Sequence, residues 1–154
     1  MTAAVNLANI ATGPAFSAYR NGNQTGLSNN AYTKVQFNAE NFDTANCFDS
    51  TTNYRFTPNV AGYYQISASL SVVGTNVSYA IPSVFKNGSS IGNGSFSSTA
   101  AGESQGVVSL LVYLNGSTDY IEIYAYNSVT SGTALISGSN ATQSYVCGFL
   151  ARGA

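Results

Sequence analysis

The sequence predicts an all-β protein, a sandwich or barrel, and three observations carry that expectation. Residues 62–72 alternate without a slip: Tyr64, Ile66, Ala68, Leu70 and Val72 fall on one face, and Tyr63, Gln65, Ser67, Ser69 and Ser71 on the other. A period of two marks a half-buried strand. Two Asn-Gly pairs, Asn87-Gly88 and Asn115-Gly116, follow apolar runs. Such pairs suit tight hairpin turns, whose central residues both need positive φ. Finally, no segment sustains a 3.6-residue apolar period, while short β-rich runs recur between Gly, Asn and Ser clusters.

Taken in order, residues 1–13 are small, uncharged and mildly apolar, with Val5, Leu7 and Ile10 as their larger side chains. They read as an N-terminal arm or first edge strand, closed by Gly13-Pro14, and residues 14–154 as one domain. Strands are expected near 15–20, 33–38, 46–49, 54–57, 62–73, 78–86, 94–98, 106–114, 119–126, 133–137 and 144–151. Pro58 and Gly62 punctuate the start of the long strand, where a missing N–H and a permissive φ are tolerated. Val107–Leu114 and Tyr120–Tyr126 read as one long hairpin about Asn115-Gly116. Ser95–Gln105 reads as a flexible loop.

Only five basic and six acidic residues occur among 154, or 7 %, against about 25 % in an average soluble domain. A surface so poor in charge is weakly protected against association, which favours coverage by partner subunits. The net charge of −1 and the lack of a basic cluster argue against nucleic acid. No apolar run reaches the roughly 18 residues of a membrane span, so membrane insertion is not expected. The first basic residue is Arg20, which leaves no basic n-region for a secretory signal. Synthesis in a cytoplasm, without a signal peptide, is therefore expected. Cys47 and Cys147 lie in apolar, strand-like surroundings and read as two buried thiols, with a late disulfide left open.

Histidine is absent, which removes a His-based triad, a His general base and most zinc sites. No enzyme is expected. Glu40, Asp43 and Asp49 form a candidate oxygen set for calcium, although solvated loop charges are the favoured reading and no cofactor is expected. Tyr19, Tyr32, Tyr54 and Tyr79, in or near loops, are candidates for stacking on a glycan. The competing reading places most of the tyrosines in core and interface.

Upstream of the long strand, Phe37, Asp43, Phe48 and Phe56 precede Gly62-Tyr63-Tyr64-Gln65-Ile66. This resembles the C1q signature of an aromatic, an Asn or Asp, two more aromatics and Gly-x-Tyr-x-Phe. One extra residue separates Phe48 from Phe56, and Ile66 and Ala68 stand where that family prefers aromatics. Pro14-Ala15-Phe16-Ser17-Ala18 looks like the family's first strand, Phe85-Lys86-Asn87-Gly88 like its central turn, and Tyr145–Leu150 like its closing strand. The resemblance, over roughly residues 14–152, implies a ten-stranded jelly-roll sandwich of the C1q and tumour-necrosis-factor type, assembled as a homotrimer.

The residues agree with burial between subunits. Tyr120, Glu122, Tyr124 and Tyr126 share one face of a strand whose other face is Ile121, Ile123 and Ala125. With Tyr113 and Tyr145, these tyrosines are the expected trimer interface; a solvent-facing stripe chosen for β-propensity is the alternative. Animal C1q domains usually follow a collagen stalk, and no Gly-x-y repeat occurs here. The free-standing, low-charge version looks like those of bacteriophages. The expected function is a virion structural protein, a capsid decoration or cement protein whose arm (Val5, Leu7, Ile10) binds the major capsid protein. A tail-fibre tip recognising a host glycan is the alternative, and a bacterial surface module a third reading.

Overall fold

A computed structural model describes residues 12–98 and 102–154. Val5, Leu7 and Ile10 lie outside the described residues. The strands are β1 (Ala15–Tyr19), β2 (Ala31–Lys34), β3 (Ala39–Asp43), β4 (Phe48–Asp49), β5 (Arg55–Phe56), β6 (Gly62–Gly74) and β7 (Val77–Lys86), followed by β8 (Ser89–Asn93), β9 (Ser95–Ser98), β10 (Glu103–Leu114), β11 (Ile121–Val129), β12 (Ala134–Ile136) and β13 (Tyr145–Gly153). All pair antiparallel, in two sheets. One runs β3-β1-β13-β6-β10-β9 with β12 also on β6, the other β4-β5-β11-β7-β8 with β2 also on β11. We call them sheet A and sheet B.

Alternation builds the space between them. Tyr64, Ile66, Ala68, Leu70 and Val72 of β6 and Ile121, Ile123 and Ala125 of β11 are buried, as the period of two requires. The aromatic signature is a packing motif. Phe16 stacks on Phe48 and Phe56 at centroid distances of 5.0 and 4.4 Å, and Phe56 meets Tyr64 edge-on at 5.4 Å. Asp43 explains the acidic position within the signature: it accepts the Phe48 N–H at 2.6 Å and the Ala45 N–H at 3.2 Å, seating Phe48 over the core. Asn127 also faces inward, fully buried, and its amide nitrogen and oxygen find no partner among the described residues.

Three expectations need correcting. Thirteen strand segments form among the described residues, where ten were expected, because turns break short pieces such as β4, β5 and β12 from their neighbours. The hairpin across Asn115-Gly116 does not exist: β10 pairs with β6 and β9, and β11 with β2, β5 and β7. Asn115 Oδ1 accepts the N–H groups of Ser117, Thr118 and Asp119. That closes a turn which carries the chain from sheet A to sheet B. At Asn87-Gly88, by contrast, both φ values are positive, 51° and 79°, and the pair joins β7 to β8 as the hairpin chemistry predicts. The loop expected over Ser95–Gln105 is in large part paired structure, with Ser95–Ser98 facing Ser104–Val107.

A candidate contact face and a pocket at its margin

The outward-facing positions of sheet A differ from an ordinary wet surface. Tyr63 of β6, Val107, Leu111 and Tyr113 of β10, Tyr145 and Phe149 of β13 and Phe42 of β3 leave between 36 % and 58 % of their surface exposed. They share one face because the registers align them. Tyr19, Tyr145, Ser69 and Val107 stand in one row, and Ala15, Phe149, Gln65 and Leu111 in another. Arg152, Tyr63 and Tyr113 form a third.

Between the apolar rows runs a stripe of small side chains, Ser17, Cys147, Ser67 and Ser109. Within it Ser67 and Ser109 share a 2.9 Å hydrogen bond, Gln65 donates to Ser109 at 2.8 Å, and Asn41 donates to Ser17 at 3.1 Å. The stripe's polar groups are thus occupied within the sheet, and their small size leaves the face flat enough for close approach. Along β1, β13, β6 and β10 the charged residues are Arg152 and Glu103, at the strand ends, and Glu40 is exposed on the edge strand β3. An apolar face of this extent, with so few charges, is the mark of an interaction surface.

The expected interface tyrosines divide between the two sheets. Tyr113 and Tyr145 lie on the face just described. Tyr124 and Tyr126 lie on the outer face of sheet B, where they join a cluster of their own: Phe85–Tyr124 at 4.1 Å, Tyr32–Phe85 and Tyr32–Tyr126 both at 5.1 Å, and Tyr79–Tyr126 at 6.3 Å. Tyr120 stands at the end of β11 beneath the Arg55 guanidinium, 4.4 Å from its ring. One contiguous patch therefore cannot contain all five. The sheet B rings half-bury one another and roof over an ion pair, Lys34 Nζ to Glu122 Oε1 at 2.6 Å. Burial raises the Tyr124 hydroxyl above its ordinary pKa, with the Glu122 carboxylate adding to it.

Tyr32 and Tyr79, two of the candidate glycan contacts, belong to this cluster. Tyr19 points away on sheet A, and Tyr54 stands apart with a positive φ of 50°. Asp43 and Asp49 are spent on backbone N–H groups. Asp49 caps residues 51–53 and is held below the usual carboxylate range, chiefly by the Thr52 N–H. No group of three potential metal ligands occurs among the described residues. Cys47 and Cys147 are free thiols, both pushed up in pKa by burial; Cys147 is only half-buried.

At one end of the sheet A face lies a pocket of about 520 Å³, lined by Tyr63, Leu111, Tyr113 and residues Ala151–Ala154. Tyr63 and Tyr113 meet edge-on at 5.5 Å on its wall. Sequence reasoning did not find it, since it depends on a register shift in β13 between Leu150 and Arg152.

Two packed antiparallel sheets of this kind have counterparts among solved structures. The globular domain of zebrafish complement 1qA protein matches with TM-score 0.60 and 17 % identity over 92 % of this chain and 99 % of its own. The fold is the C1q and tumour-necrosis-factor jelly roll. Murine APRIL matches with TM-score 0.63 and 8 % identity over 89 % of this chain and 98 % of its own. The PRD1 vertex protein P5 matches with TM-score 0.54 and 20 % identity over 90 % of this chain and 94 % of its own. No protein-family model matches the chain, and no curated protein sequence does.

Proposed function

We propose that this jelly roll is a non-enzymatic structural protein of a bacteriophage virion. In this reading it assembles as a homotrimer through the outer face of sheet A and decorates the head surface by binding the major capsid protein. The apolar, charge-poor sheet A face carries the first half: three copies packed about a three-fold axis would cover Val107, Tyr145 and Phe149 together. The low total charge fits the same arrangement. Likeness to a vertex protein supports the virion setting. The uncharged residues 1–13, with Val5, Leu7 and Ile10, suit an arm that lies along another protein as an added strand.

Two experiments test this. Light scattering at micromolar concentration should return three times the 16.0 kDa chain mass, and a mass near 16 kDa would sink the trimer. Undecorated capsids and host cells are then mixed separately with the protein. Attachment to capsids that is lost on deleting residues 2–12, with the trimer intact, supports decoration. Attachment to cells alone, through a surface glycan, favours a fibre tip instead.

A further inference from the structure

Charge is scarce in this chain, and its basic side chains are almost all engaged. Arg20 donates to the carbonyls of Gly22, Asn23 and Gln36. Lys34 pairs with Glu122, Lys86 pairs with Asp119, and Arg55 lies over Tyr120. Arg152 is the exception. It is exposed, has no ion pair, hydrogen bond or ring contact among the described residues, and lines the pocket at the end of sheet A. Its neighbours across the ladder, Tyr63 and then Tyr113, supply an apolar wall, and Leu111 lies beside them. An unpaired guanidinium beside a concave apolar surface complements a group that is both apolar and anionic. Guanidinium binds carboxylate through two parallel hydrogen bonds, a geometry that neither an ammonium nor an apolar surface supplies.

We propose that this pocket is a docking site for an extended peptide segment of the attachment partner, in which an acidic residue sits next to a large apolar one. The carboxylate pairs with Arg152, and the apolar side chain fills the space between Leu111 and the Tyr63–Tyr113 pair. The volume of about 520 Å³ lies within the range of pockets that hold a few side chains or a small ligand. The site lies where the strands end, at the margin of the face through which copies pack. The inference rests on the reading that this domain attaches to another protein of the particle, and it names the chemistry of that attachment.

The test uses the full chain, isotope-labelled, with the capped peptide acetyl-Leu-Asp-Phe-amide as probe. The same peptide with Asn for Asp, and the fatty-acid anion decanoate, serve as comparisons. The Asp peptide should shift the backbone amide signals of Tyr63, Leu111, Tyr113 and Arg152, and the Asn peptide should bind about tenfold more weakly, the loss of one charge-assisted pair. Arg152→Gln should abolish that tenfold difference while leaving the signals of buried β6 and β11 residues in place. Three results would overturn the site: no shift at millimolar peptide, because a neighbouring copy fills the pocket; equal binding of the Asp and Asn peptides; or tighter binding of decanoate than of peptide. Capsid attachment is scored separately. If the unmodified protein binds capsids and Arg152→Gln binds equally well, the inference falls and the decoration reading stands. If neither binds capsids, the decoration reading falls, and the peptide titration still decides the pocket.

Discussion

Asn127 shows how a single residue can stand against its surroundings. It occupies an inward position on β11, in the same series as Ile121, Ile123 and Ala125, with Ala80 and Ala31 opposite it on the neighbouring strands. A buried amide without partners costs about 1–3 kcal/mol. Asn127→Leu removes that cost, so the thermal midpoint should rise by about 3–6 °C. A fall on calorimetry would show that the amide is bonded in solution. Asp119 behaves in the opposite way. Asn87 Nδ2 donates to it at 2.7 Å and Lys86 pairs with it at 2.9 Å, and these partners, Asn87 first, lower its pKa. A folded-state pKa below the unfolded value adds stability that is present above the unfolded pKa of about 3.9 and is lost as pH falls through the folded one. Asp49 is shifted the same way, so urea midpoints should hold from pH 7 to about 4 and drop below it. Asp119→Asn should lower the midpoint at pH 7 and make the acid drop shallower, and an unchanged acid slope would refute its part in it.

Among the elements, β10 carries two jobs on alternate residues. Val108 and Leu114 enter the core, while Val107, Leu111 and Tyr113 face outward. Replacing Val107 and Ser109 together by Asp leaves the core positions untouched. The circular dichroism spectrum should therefore be retained, while light scattering should report single chains. A double variant that keeps three times the chain mass would remove the sheet A face from the assembly. This element also marks the limit of what the sequence discloses. The alternation of β6, the Asn87-Gly88 hairpin and the aromatic signature are local patterns, set by pleat, turn chemistry and ring packing, and all are legible. The partner of a strand is not local. Asn115-Gly116 has hairpin composition, yet its side chain closes a different turn and β10 and β11 part company. Tyr124 and Tyr126 face outward as the alternation of β11 requires, but which sheet they lie on follows from that same pairing. The Arg152 pocket was hidden further still, behind a register shift and three strands distant in sequence. Lys34 and Glu122 stand 88 positions apart, and nothing in either neighbourhood announces the pair.

For the whole molecule, the two sheets have unlike outer surfaces. Sheet B closes its own aromatic face with Tyr32, Phe85, Tyr124 and Tyr126, and sheet A leaves its apolar rows open. A sandwich with unlike outer faces has a built-in direction for association: in the trimer proposed above, sheet A is covered and sheet B faces outward. Within sheet A, β13 lies between β1 and β6 and is bonded to both. A ribosome makes these residues last among those that the sheet contains. Until they emerge from the exit tunnel, β1 and β6 face each other across an empty lane, each with an unpaired edge. Sheet A therefore stays open until β13 is made, and a message truncated before Tyr145 would yield a product with two open edges and a strong tendency to aggregate.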